Sequence, residues 1–172
     1  VDLILGKECQ TKMGRGGVTP LQYKTFSQPM QEAITAYCGQ GGHILVSGAF
    51  VGTDLWDNRL TTSEEADKKF ATNVLKYKWS VASPFPMLTG NYTYHHELNE
   101  ESYVVEAPDA IEPANKDAYT VMRYSENNLS AGVAYQGDYK TYIMGFPFET
   151  IRTEAERETL MKAILTFFNS GK

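Results

Sequence analysis

Histidine, cysteine and tryptophan are scarce in this chain, at three, two and two in 172 residues. The two cysteines, Cys9 and Cys38, are too few for a disulfide framework and lack the paired spacing of a structural metal site. Cys38 closes an apolar helical stripe and reads as a buried thiol. No apolar run approaches the roughly 18 to 20 residues that a helical membrane span requires. Basic residues are neither abundant nor clustered, with 16 Lys and Arg against 21 Asp and Glu and a formal charge of -5. A phosphate-neutralising face is therefore excluded, and with it nucleic acid as a partner. The densest basic stretch, Lys68, Lys69, Lys76 and Lys78, alternates with Phe70, Val74 and Tyr77 and reads as a solvated helix face.

What remains is an ordinary globular composition, 42% apolar and 22% charged, over a length that suits one domain, residues 1–172. The chain opens on "VDLILG", which reads as the middle of a fold, so a longer parent with further domains is expected. The run Val1 to Leu5 is apolar on nearly every position, as in a strand covered on both faces. Ser27 and Pro29 then open a helix with Met30, Ala33, Ile34, Tyr37 and Cys38 on one face and Gly39 as its stop. A second strand, "HILVS", follows Gly41 and Gly42. The segment "TSEEADKKFATNVLKY" reads as a helix with a Thr62–Glu65 capping box and an inward stripe of Ala66, Phe70, Val74 and Leu75.

This strand-helix alternation predicts an α/β fold built on a parallel sheet. After Trp79 the chain carries turn residues and no helical stripe, and short strands and loops are expected. "TVMRY", "AGVAYQ" and "KTYIMGF" read as strands, the last two joined as an antiparallel hairpin through Gly137 and Asp138. A Thr153–Glu156 capping box then opens a terminal helix with Leu160, Met161, Ile164, Leu165 and Phe168 on its inner face.

The stretch "GGHILVSGAFVG" has the layout of a strand followed by Gly-x-x-x-Gly, which in several hydrolases lifts a nucleophile onto a sharp strand-to-helix turn. The central position here is Phe50. The order of this elbow, a late strand with "YIMGFPFETI" and a capped final helix resembles the class I glutamine amidotransferase-like fold. That resemblance implies a three-layer, flavodoxin-like parallel sheet flanked by helices, extended here by the antiparallel hairpin. It lays Gly48 and Gly52 on the elbow glycines, Phe50 on the nucleophile, Pro147 on the general base and Glu149 on the acidic member. Neither a phenyl ring nor a pyrrolidine supplies the chemistry of a thiolate and an imidazole, so a degenerate, non-catalytic domain is expected.

The motifs "DLILGKE", "GGHILVSGAFVGTDLW" and "GFPFETI" are similar, in order, to a domain of secreted bacterial proteins labelled xanthan lyase. This implies a secreted, periplasmic or cell-surface parent that processes polysaccharide, in which the domain is a scaffold, assembly or carbohydrate-contacting module. The alternative is a lyase or hydrolase acting on an acidic glycan through the elbow and the loop at 84–101. Domains of the amidotransferase-like kind ordinarily place two strand-helix units before the strand matched by "VDLIL". Either those units lie upstream in a longer parent or the sheet closes differently here; an unpaired apolar edge is otherwise exposed.

Open α/β sheets bind ligands at the carboxyl ends of their strands. Glu8, Phe50, Thr53 and Asp54 are the candidates there, with Trp56, Tyr92 and Tyr94 as flat rings able to stack on a sugar. No metal is expected. His95 and His96 are adjacent and diverge on either a strand or a helix, and Asp54 and Asp57 lack the spacing of a calcium loop. No cofactor is expected either, since the glycines at 14–17 lack the Walker lysine-hydroxyl pair.

Overall fold

The computed structural model describes residues 1–6, 9–10, 21–22, 24–57, 63–82, 88–89, 92–93, 105, 108–125 and 127–171. For residues 9–10, 21–22, 81–82, 88–89 and 92–93 the description covers the backbone alone. In chain order the elements are strands β1 (Asp2–Gly6), β2 (Cys9–Gln10) and β3 (Leu21–Gln22), helix α1 (Gln28–Gly39), β4 (Ile44–Gly48), and helices α2 (Thr53–Trp56) and α3 (Glu65–Phe70). Helix α3 runs into a π-helical turn, Ala71–Leu75. Then come β5 (Tyr77–Ala82), β6 (Leu88–Thr89), β7 (Tyr92–Thr93), β8 (Asp109–Pro113), β9 (Ala118–Arg123), β10 (Ser130–Gln136) and β11 (Lys140–Met144). A 3-10 turn, Phe148–Thr150, precedes the last helix, α4 (Glu154–Asn169).

The fold is α/β, but its main sheet is mixed. Five strands lie in the order β1-β4-β11-β10-β9, and only β1 with β4 and β4 with β11 are parallel. The other two pairings are antiparallel, which corrects the expectation of a parallel sheet. The cause is local. A three-residue connection, 137–139, joins β10 to β11, and so short a link permits only an antiparallel neighbour, whereas parallel strands need a long crossover. The predicted hairpin is therefore present, but it is built into the sheet instead of extending it. Strands β5 and β8 form a separate antiparallel pair.

Alternation along the central strands divides the core. Leu45, Ala134, Tyr142 and Met144 pack with Leu160 and Ile164 of α4. Their neighbours Ile44, Val46, Val133 and Ile143 pack with Ile34 and Cys38 of α1 and with Phe70 and Leu75. Period-two side chains of a strand buried on both sides require this division.

The helix ends follow their chemistry, with adjustments. Ser27 sits at the start of α1 but makes no side-chain capping bond, and Gly39 stays inside the helix. The left-handed residue that ends the turn is Gly41, at φ +84°, whose N–H reaches the Cys38 carbonyl at 2.9 Å. For α3 the capping pair is Glu64 with Asp67, displaced from the expected Thr62 and Glu65, and Asp67 accepts the Glu64 N–H at 2.9 Å. The Thr153–Glu156 box forms as expected, with the Glu156 N–H on the Thr153 hydroxyl at 3.2 Å. Leu165, assigned to the inner face, is 50% exposed, because it lies about 100° around the helix from the buried Ile164. Strand β1 is a sheet edge with Val1 62% and Ile4 47% exposed, which corrects the reading of Val1 to Leu5 as a strand covered on both faces. No helix among the described residues is long and apolar enough to cross a membrane.

Candidate functional site

The elbow is present as geometry: β4 ends at Gly48, residues 49–52 turn, and α2 begins at Thr53. At a helix start the first N–H groups have no partner within the helix and must find one elsewhere. Asp109, at the head of β8, supplies it. Its carboxylate accepts the Gly52 N–H at 2.7 Å, the Thr53 N–H at 2.9 Å and the Thr53 hydroxyl at 2.6 Å. A further bond comes from the Trp79 indole N–H on β5 at 3.0 Å. A methyl group on Gly52 would come within 2.5 Å of the Trp79 ring, so the close approach of ring, turn and carboxylate requires glycine there.

The backbone of Asp109 is tied as firmly. Its N–H donates to the Gly145 carbonyl at 2.7 Å, and its carbonyl accepts the Tyr124 hydroxyl at 2.9 Å. The Tyr77 hydroxyl closes the turn from the other side by donating to the Val51 carbonyl at 2.5 Å. Asp109 is wholly buried, and burial pushes its carboxyl up to about 7, against the pull of the bonds from Thr53, Gly52 and Trp79.

Phe50 and the two neighbours of Pro147, Phe146 and Phe148, belong to one apolar cluster, and Phe50 is 8% exposed. Packing a phenyl ring there contributes about 2 kcal/mol to the fold. Pro147 leads into the 3-10 turn that holds the half-buried Glu149, and its carbonyl accepts the Thr150 hydroxyl at 2.6 Å.

Of the candidates for ligand contact, Thr53 is buried against Asp109. Asp54 is buried too. It accepts the Phe26 N–H at 3.2 Å and lies 3.4 Å from the Lys24 ammonium. Burial raises its pKa and Lys24 opposes the rise. Trp56 is half-buried at the end of α2, its ring 6.2 Å from that of Tyr77. Trp79 lies in β5, because the β-rich run "YKWSVA" pairs with β8. Glu8 and Tyr94 fall outside the described residues, as do His95, His96 and most of the loop at 84–101; Tyr92 is placed by its backbone in β7. Cys38 is free and buried, and burial lifts its thiol to about 11, far from a nucleophile's range. Among the described residues no cluster of His, Cys, Asp or Glu has the makings of a metal site.

A second polar region lies between α1 and α3. Lys24 bridges Asp54 and Asp67, its ammonium 3.1 Å from the Asp67 carboxylate, which also accepts the Gln31 amide at 2.6 Å. Burial pushes the Asp67 carboxyl up, but the bonds from Gln31, the Glu64 N–H and Lys24 outweigh it and hold the group below its ordinary range.

No family model matches the chain. No curated protein matches it either. Among solved structures it is similar to the exo-β-1,4-mannosidase Op5Man5 from Opitutaceae bacterium strain TAV5. The identity is 11% and the TM-score 0.47, over 85% of this chain and 24% of that one. It is also similar to the mmIFT52 N-terminal domain, at 16% identity and a TM-score of 0.45, over 86% of this chain and 73% of that one. The chain thus spans about a quarter of the mannosidase. Likenesses this distant assign neither family nor activity. The resemblance to class I glutamine amidotransferase-like domains, including those of proteins labelled xanthan lyase, is corrected on these findings. The sheet is mixed and no family model matches.

Sequence reasoning missed Asp109 and Lys24. The only local signal for Asp109 was an acidic residue opening the apolar run "DAI", and its partners Gly52 and Thr53 lie 57 and 56 positions away.

Proposed function

We propose that this domain acts by binding and not by catalysis, as a scaffold, assembly or carbohydrate-contacting module of a larger exported polysaccharide-processing protein. One observation carries the reading: the elbow N–H groups of Gly52 and Thr53 are both held by the Asp109 carboxylate. Donors held in this way are committed inside the fold and are closed to a ligand. The buried phenyl ring of Phe50 at the apex supports the same conclusion. The exposed apolar edge at Val1 and Ile4 supports assembly with other domains. Two apolar clusters, each shared by sheet and helix residues, support a three-layer arrangement with helices on both faces.

Amide and ester probes incubated with the purified chain should show no turnover. Sustained turnover lost on substitution of Thr53 would overturn the proposal. Export and the polysaccharide setting are tested by the flanking gene sequence, where a signal peptide and carbohydrate-active modules are expected; a gene with neither removes that setting.

A further inference from the structure

Helix α1 and the start of α3 enclose a cleft of about 630 Å³, within the range of small-molecule sites. Gln28, Gln31 and Thr35 line it from α1 with Glu32 between them, and Glu64 and Asp67 line it from the other side. Lys24 enters from the segment before α1. Spacings of three and four residues bring the α1 groups to one face, and internal bonds set their orientation. The Gln28 amide donates to Glu32 at 3.0 Å, and the Gln31 amide donates to the Phe26 carbonyl at 3.0 Å as well as to Asp67. Phe70, with Ala36 and Ala66, contributes apolar surface.

We propose that this cleft binds a hydroxyl-rich sugar that carries no acid group. The inference rests on the carbohydrate-contacting role proposed above and assigns it a place and a ligand class. A sugar hydroxyl both donates and accepts, and the cleft offers both functions: amides and an ammonium as donors, carboxylates as acceptors. Charge decides between sugar types. Glu32, Glu64 and Asp67 face the cleft, while among the described residues the ammonium lining it is that of Lys24, shared by the Asp54 and Asp67 carboxylates. A uronate brought into this surplus of negative charge is repelled; a neutral hexose is not, and an amino sugar is attracted. The elbow offers a hydroxyl much less, because its N–H groups are held by Asp109 in the buried interior, whereas Gln28 and Glu32 stand exposed.

The test is a two-dimensional amide NMR titration of the chain with glucose, glucosamine and glucuronate in parallel. Glucose and glucosamine should shift resonances of α1 and α3, glucosamine more strongly at low salt, and glucuronate should leave them unmoved. Gln28→Ala and Glu32→Ala lie on the open side of α1 and should each weaken binding by about tenfold at an unchanged melting temperature. Glucuronate binding as well as glucose overturns the charge argument. Shifts centred elsewhere, with α1 and α3 silent, overturn the cleft and leave carbohydrate contact standing. No shift with any of the three sugars overturns both.

Discussion

Two carboxylates, Asp109 and Asp67, show how the same side chain is put to opposite uses. Asp109 is sealed from water, meets N–H and O–H donors from three residues in two parts of the chain and pairs with no cation among the described groups bonding it. Asp67 is 8% exposed and lines a cleft, with an ammonium and an amide beside it. Burial dominates at the first and raises the pKa to about 7; bonding and charge dominate at the second and lower it. A carboxylate that terminates a helix start from within the core is a fastener. One that takes an ammonium, an amide and a backbone N–H beside a cleft fixes the cleft's wall.

The sharpest way to break the comparison is Asp109→Ala. It strands the Gly52 and Thr53 N–H groups and the Trp79 indole N–H in the interior, and chemical denaturation should register a loss of about 4 kcal/mol. A loss below about 1 kcal/mol would mean that water reaches the turn and that the fastener reading is wrong. Next in size is Lys24→Met, which leaves the buried Asp54 without its cation and should cost about 2 to 3 kcal/mol. Part of that loss should be recovered in the double variant with Asp54→Asn.

The pH dependence sharpens the contrast further, because the two groups act in different windows with opposite sign. The folded-state pKa of Asp109, about 7, stands above the ordinary value of 3.8, so the fold holds that proton more tightly than the unfolded chain does. Its contribution is fully present below about pH 4 and is lost as pH rises toward 7, at no more than about 1.4 kcal/mol per pH unit. Asp67, with its pKa lowered, contributes above 3.8 and loses that contribution as pH falls through its folded value. Denaturation midpoints between pH 4 and 8 should therefore fall with rising pH, and Asp109→Asn should flatten the slope. A slope unchanged in Asp109→Asn assigns the titration elsewhere. The smallest effect expected on stability is that of Gln28→Ala at the exposed start of α1, within about 0.5 kcal/mol by thermal melting.

Much of the fold was legible where the signal was local. The apolar alternation of α1 and α4, the Thr153–Glu156 box, the strand "HILVS" and the hairpin at 137–139 each depend on residues within a few positions of one another. The errors fell where a partner distant in sequence decided the outcome. Tyr77 was read as the end of a helix because its strand partner, Pro113, is 36 positions on. The sheet was read as parallel because nothing in "KTYIMGF" tells that β11 inserts between β4 and β10. The candidate site divided in the same way. Phe50 at the apex of the elbow was visible in the sequence, and the carboxylate that holds the elbow was not.

The sequence by itself determined the periodicities, the turns and the absence of a nucleophile at the centre of Gly48 to Gly52, because each is written in neighbouring side chains. Tertiary structure alone decided the strand order, the convergence of Phe50 with Phe146 and Phe148, the sealing of Asp109 and the bridging of two carboxylates by Lys24. The physical reason is desolvation. A carboxylate's properties are set by how much water and how many donors surround it, and those surroundings exist only once distant segments have packed together.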